Sequence, residues 1–147
     1  KRQKNGLMGV EAVILFDPAH ADEFAFRRKR GAQLFSKHRY LSAQMDAYLE
    51  DDRWLKMARA ANGAGQRLAR GLAALDHARL DHRADANMIF VSLPRAAHRR
   101  AVSAGAQYYL TLDDLAGGAE DDMIPVRLVT NWATTEEEVD GLLSLVG

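Results

Sequence analysis

Cysteine is absent from the chain, which excludes disulfides, thiolate catalysis and cysteine-ligated zinc, and fits a cytoplasmic protein. A charge of one sign is also lacking, because 20 Lys and Arg balance 20 Asp and Glu. No net field then drives the chain onto nucleic acid or an anionic membrane. Long apolar runs are missing as well: the longest covers residues 12–16, far short of the ~20 residues that cross a bilayer. Lys1, Arg2 and Lys4 make the first residues basic, but no apolar stretch follows as a signal peptide requires. The histidines, at positions 20, 38, 77, 82 and 98, have none of the zinc-binding spacings, so no metal site is expected.

What is present suffices for a core. The 147 residues are 48% hydrophobic and 27% charged, the balance of a folded globular protein and not of a disordered one. Residues 11–17, Glu-Ala-Val-Ile-Leu-Phe-Asp, are nearly continuous in apolar side chains and stop at Pro18. That pattern predicts a strand buried on both faces of a parallel sheet. Such a strand needs neighbouring strands and covering helices, and nothing upstream supplies them, which points to a longer protein.

Residues 21–50 lack proline and place Leu34, His38, Leu41, Met45 and Tyr48 at intervals of three and four, which predicts helix. Gly31 and the polar run Ser36-Lys37-His38-Arg39 divide it into two. Asp51 and Asp52 stand where they can cap a further helix with the inner stripe Trp54, Ala58, Ala61, Gly65, Leu68, Leu72 and Leu75. Small residues at its middle permit close approach of a neighbour, and its length suits a connector between a large and a small domain. After Asp76 the units shorten: a strand at 88–93 ended by Pro94, a helix at 95–105 and a strand at 108–112. An acidic loop at 113–122 with Gly117-Gly118 precedes a strand at 124–132 and a helix at 135–146. This is an α+β pattern. Thr135 and Glu138 have the capping-box spacing, and Glu136, Glu137 and Glu138 suit the positive end of the helix dipole, a structural role.

Three residues could carry chemistry. Lys4, before Asn5-Gly6, reads by itself as a solvated surface group. Arg127 interrupts an otherwise apolar strand and reads either as an edge-strand residue facing solvent, as half of an ion pair, or as a recognition group. Arg39 lies at the helix joint and reads equally as a basic surface residue. The run Arg27-Arg28-Lys29-Arg30 is read as a solvated helix face pairing with Asp22 and Glu23; polyanion binding through it is disfavoured by the neutral net charge. His38 lies on the apolar stripe and is expected to be packed.

The text around these residues is more specific. Residues 4–18, Lys-Asn-Gly-Leu-Met-Gly-Val-Glu-Ala-Val-Ile-Leu-Phe-Asp-Pro, resemble the segment that follows the cofactor-bearing lysine of the low-specificity L-threonine aldolases. These belong to the β-eliminating lyase family, pyridoxal-phosphate enzymes of fold type I. The resemblance continues through residues 26–44, Phe-Arg-Arg-Lys-Arg-Gly-Ala-Gln-Leu-Phe-Ser-Lys-His-Arg-Tyr-Leu-Ser-Ala-Gln. It returns at residues 126–135, Val-Arg-Leu-Val-Thr-Asn-Trp-Ala-Thr-Thr. Family members are longer, with a substantial region before this lysine, so the chain is similar to their carboxy-terminal part only.

The resemblance implies an α/β architecture with an α+β end. Residues 1–50 would be a remnant of a large pyridoxal-phosphate-binding domain, 51–76 a connecting helix, and 77–147 a small α+β carboxy-terminal domain. It implies pyridoxal 5'-phosphate as cofactor, with Lys4 as the catalytic, cofactor-bearing lysine and Arg39 and Arg127 as the clamp on the substrate carboxylate. An amine in a dry pocket loses charge stabilisation and becomes reactive toward an aldehyde, while the planar guanidinium fork matches a carboxylate. The substrate would be a β-hydroxy-α-amino acid such as threonine, cleaved to glycine and acetaldehyde by a homo-oligomer. The ring-stacking histidine, the aspartate paired with the pyridinium and the phosphate loop would come from outside this chain, leaving it inactive alone. Alternatives are another pyridoxal-phosphate β-eliminating lyase, a transaminase-like enzyme, or a non-catalytic α/β interaction module.

Overall fold

The computed structural model describes residues 6–34, 36–110 and 112–147. The chain divides into two compact units, Lys1–Trp54 and Leu55–Gly147. No helix among the described residues is long and apolar enough to cross a membrane.

In the first unit a 3-10 turn at Pro18–His20 leads into α1 (Ala21–Arg30) and, after a break, α2 (His38–Leu49). Pro18 stands at the start of the turn, where its missing N–H costs nothing, and the Asp17 carboxylate accepts the Ala19 N–H at 2.9 Å. In α1 the acidic residues Asp22 and Glu23 occupy the first turn and Arg27 to Arg30 the last, the order the helix dipole favours. Glu23 accepts from Arg27 at 2.7 Å and from Arg30 at 3.5 Å, so the basic run is a solvated face paired through Glu23, while among the described residues Asp22 forms no ion pair with it. Helix stops at Gly31, with Ala32 in the left-handed region at φ 54°, and the division into two helices falls where the polar joint places it. Leu7, Val10 and Tyr48 are buried in this unit, and the Met8 N–H donates to Gln44 Oε1 at 2.9 Å.

Two expectations fail here. Residues 11–17 form no strand; all are exposed, Phe16 at 96%. A strand exists through its pairing, and among the described residues no segment pairs with this one. Asp51 and Asp52 do not take the extended backbone usual for a helix cap. Both are left-handed, at φ 50° and 55°, a conformation aspartate tolerates because its short side chain bonds locally. They make a sharp entry to α3 (Arg53–Ala73).

The second unit contains most of α3, then β1 (Arg79–Leu80), β2 (Met88–Pro94), α4 (Arg95–Ser103), α5 (Leu112–Leu115), β3 (Met123–Val129) and α6 (Glu136–Val146). The strands form one antiparallel sheet in the order β1-β2-β3, with Ile89 opposite Leu128, Phe90 opposite Arg127 and Val91 opposite Val126. Alternation along β2 and β3 sends Ile89, Val91, Leu93, Val126 and Leu128 inward. There they meet Leu68 and Leu72 of α3, Ala97 and Ala101 of α4, and Val139 and Val146 of α6. Met88, Phe90, Met123 and Arg127 point to the opposite, open face. The predicted strand at 108–112 is reduced to a single bridge from Tyr109 to Arg127, because the Leu110 N–H turns back to the Tyr108 carbonyl at 2.8 Å.

Small residues let α3 lie close to its neighbours, as the stripe predicts. A β-carbon on Gly65 would sit 3.1 Å from the Ala86 carbonyl oxygen and 3.2 Å from both the Asn87 Cα and the Thr130 Oγ1. The buried Thr130 hydroxyl donates to the Ala61 carbonyl at 2.7 Å, and Asn87 donates to the Thr130 carbonyl at 2.6 Å. At the far end, Thr135 caps α6 with both bonds of the capping box. Two glycines in one helix should therefore respond oppositely. Gly63 has open space where a β-carbon would go, so Gly63→Ala should stabilise the chain by about 0.5–1 kcal/mol through helix propensity. Gly65→Val should cost about 1–3 kcal/mol by overpacking; urea unfolding of the two variants measures both.

Candidate functional site

The three candidate residues fare differently. Lys4 lies outside the described residues. Arg39 projects from the first turn of α2, exposed, with its guanidinium 4.9 Å from the centre of the adjacent Tyr40 ring and donating to the Tyr40 hydroxyl at 3.3 Å. His38 beside it is half-buried and its Nε2 lies 3.0 Å from the Gln33 carbonyl oxygen, a partner that fixes the break between α1 and α2. Arg39 belongs to the first unit and Arg127 to the second.

Arg127 stands on the open face of the sheet, on β3, and is exposed. Its guanidinium carbon lies 5.5 Å from the centre of the Tyr109 ring. Among the described residues no carboxylate pairs with Arg127 or with Arg39. That distinguishes Arg127 from Arg67, whose fork is already bidentate on Asp140 at 2.9 and 2.7 Å. A planar cation on a solvent-facing sheet, held by a ring and free of internal carboxylates, can receive the carboxylate of a small molecule.

Other polar groups of the second unit are structural. Buried Arg95 donates to the carbonyls of Ala119 (3.1 Å) and Asp114 (2.6 Å) and to the Asp122 carboxylate (3.2 Å). It thereby latches the acidic loop onto the start of α4, and a β-carbon on Gly118 would collide with it. Ser92, buried, donates to the Asp81 carboxylate at 2.9 and 3.1 Å and accepts from Arg79 at 3.2 Å. The hydroxyl faces a carboxylate, with no histidine relaying its proton, so it is no activated nucleophile. A groove of about 480 Å³ beside α6 is lined by Leu68, Tyr108, Leu128, Val139, Leu142 and Leu145, among others. Of its polar groups, Thr134 and Glu138 accept from the backbone around the α6 cap, Thr130 donates to the Ala61 carbonyl and Tyr108 hydrogen-bonds His98, so the groove is mainly apolar with Gln107 at its wall. No group of acidic or histidine side chains among the described residues could hold a metal ion.

Comparison with known proteins supplies what geometry leaves open. No protein-family model matches the chain. The low-specificity L-threonine aldolases of a Pseudomonas species and of Pseudomonas aeruginosa are each 32% identical to it over 136 residues. Those matches cover 92% of this chain and 37% of the relatives. A solved structure of threonine aldolase from Leishmania major superposes with a TM-score of 0.60, at 22% identity, over 72% of this chain and 29% of that one. The chain is a part-length relative of the low-specificity L-threonine aldolases. Its coverage of these aldolases fits a carboxy-terminal portion, and its mixture of helices with a small antiparallel sheet occurs within a threonine aldolase fold.

Two residues beside Arg127 carry no signal of that placement in the order of the sequence. Tyr109 and Phe90 flank Arg127 across the sheet. Alternation along residues 88–93 could have marked Phe90 as outward, but register and the bridge from Tyr109 are properties of pairing.

A histidine of the second unit is buried too. His98 is fully buried, with Nε2 3.1 Å from the Ile124 carbonyl oxygen and Nδ1 2.9 Å from the Tyr108 hydroxyl. In the neutral ring Nε2–H donates to the carbonyl and Nδ1 accepts from tyrosine. Burial lowers the His98 pKa, opposed by the Ile124 carbonyl, and burial raises that of Tyr108. The unfolded chain then binds more protons just below the ordinary histidine pKa of about 6.5. The contribution of His98 is complete above that pH and is lost as pH falls through its lowered folded value. The melting temperature should decline as pH drops below about 6.5, and His98→Gln should flatten that slope; a parallel slope in the variant would assign it to other groups.

Proposed function

We propose that the chain is the carboxy-terminal portion of a pyridoxal-phosphate-dependent lyase that cleaves β-hydroxy-α-amino acids, threonine to glycine and acetaldehyde, in the intact protein. The observation that carries this reading is the 32% identity to low-specificity L-threonine aldolases across 92% of the chain. Residues 1–50 would end the large cofactor-binding domain, 51–76 connect, and 77–147 form the small domain. The active protein would be a homo-oligomer.

The described residues fit the substrate end of such a site and not the cofactor end. Among the described residues Arg127 offers a guanidinium without a carboxylate partner, whereas the space over Gly118 is filled by Arg95 and Asp122. Lys4 is the amine assigned to carry the cofactor, and the groups around its ring and phosphate would come from the rest of the protein. The bound cofactor supplies an electron sink for the pair released at the substrate Cα. The part of the described residues is orientation. Arg127 and Arg39 would hold the substrate carboxylate, fixing which bond at Cα is aligned for cleavage, and binding energy spent there lowers the barrier elsewhere in the substrate. Proton removal from the β-hydroxyl, with cleavage of the Cα–Cβ bond, separates this reaction from β-elimination, which removes the Cα proton and expels a leaving group from Cβ.

The experiment compares L-threonine with β-substituted alanines on the complete gene product. Release of glycine and acetaldehyde is expected; pyruvate from the alanines alone would favour the β-eliminating alternative, and no turnover of either a non-catalytic module. Lys4→Ala should abolish both turnover and the visible absorbance of bound cofactor. Arg127→Met should lower kcat/KM by roughly 10- to 100-fold, the loss of a hydrogen bond to a charged group. The 147-residue chain alone should release no glycine.

A further inference from the structure

We infer that Tyr109 is the residue that positions the Arg127 guanidinium for its ligand carboxylate, with Phe90 as the opposite wall; the inference rests on the carboxylate-binding reading of Arg127. Three elements converge in one row across the open face. Phe90 on β2 is the register partner of Arg127, and Tyr109, arriving from the loop after α4, bridges Arg127 on its other side. Directly opposed residues of an antiparallel pair project to the same face with side chains in reach of one another. Phe90 is 38% and Tyr109 79% exposed, so these rings are not core side chains. Next in the row, His82 meets Phe90 edge to face, with ring centres 5.5 Å apart.

The arrangement answers a physical difficulty. An exposed arginine carries several free torsions, and freezing them on binding a small carboxylate opposes affinity. A ring against the guanidinium plane removes part of that cost beforehand and covers one face from water, while the N–H edge of the fork stays open. Stacking uses the ring and not the hydroxyl. Among the described residues Tyr109 has no hydrogen-bond partner for its hydroxyl, and its ring contact is with Arg127. Tyr109 therefore acts through Arg127 and is a positioning residue, not a catalytic one.

The test uses steady-state kinetics of the complete gene product with L-threonine and, on the 147-residue chain, the NMR signal of the Arg127 Nε–H. Arg127→Lys should raise KM, because the ammonium cannot reproduce the fork. Tyr109→Ala should raise KM by about two- to fivefold with little change in kcat, the scale of an exposed cation–π contact. Tyr109→Phe should restore the parental KM, and Tyr109→Ala should add nothing in the Arg127→Lys background. The Arg127 Nε–H should carry a ring-current shift that Tyr109→Ala removes and Tyr109→Phe keeps. An unchanged KM in Arg127→Lys would sink the carboxylate reading and this inference with it. A defective Arg127→Lys beside a parental Tyr109→Ala, or a Tyr109→Phe as damaged as the alanine variant, would overturn the positioning role alone.

Discussion

The antiparallel pairing of β2 with β3 sets both the core and the site of the second unit. Ile89 faces Leu128 and Val91 faces Val126, and the same pairing sets Phe90 opposite Arg127. Side chains alternate between faces with a period of two, so a slip of one residue would carry the apolar set into solvent and drive Arg127 toward the helices. Burying an unpaired guanidinium there would cost several kcal/mol. The apolar face is thus what keeps the arginine outward, and no polar contact of Arg127 itself is needed to hold the register.

Around that sheet the helices are held at fixed depth by a few short-range contacts. Gly65 brings α3 against residues 86–87 and 130, and Thr130 satisfies the Ala61 carbonyl across the contact. Arg95 holds the acidic loop so that its carbonyls meet the first N–H groups of α4: Asp122 accepts from Arg95 N–H and Glu120 from Ala96 N–H. His98 fills the interior between α4 and β3 with both ring nitrogens matched. Each is a polar group whose partner is supplied by another segment, the condition for burying it without penalty.

Helices were the most legible part of the sequence. The break between α1 and α2, the small-residue stripe of α3 and the capping box of α6 are local, decided by residues three or four apart. Residues 11–17 were the least legible for the complementary reason. Their composition is that of a buried strand, yet strand structure requires a partner, and none of the described residues provides one. The segment at 108–112 fails similarly: a strand-like composition yields one bridge at Tyr109, since a tight turn at Leu110 withdraws the next N–H from pairing.

The sequence by itself determined the relationship to threonine aldolases, carried by long ordered stretches around Lys4, Arg39 and Arg127, and later met by relatives at 32% identity. It also determined the neutral, cysteine-free composition and the α+β character of the second half. Only the tertiary structure decided that Arg127 faces outward with no carboxylate pairing it among the described residues, that Tyr109 and Phe90 flank it, and that Gly118 is covered by Arg95. Those facts depend on which strand lies beside which and in what register, and pairing between distant segments has no signature in the order of neighbouring residues.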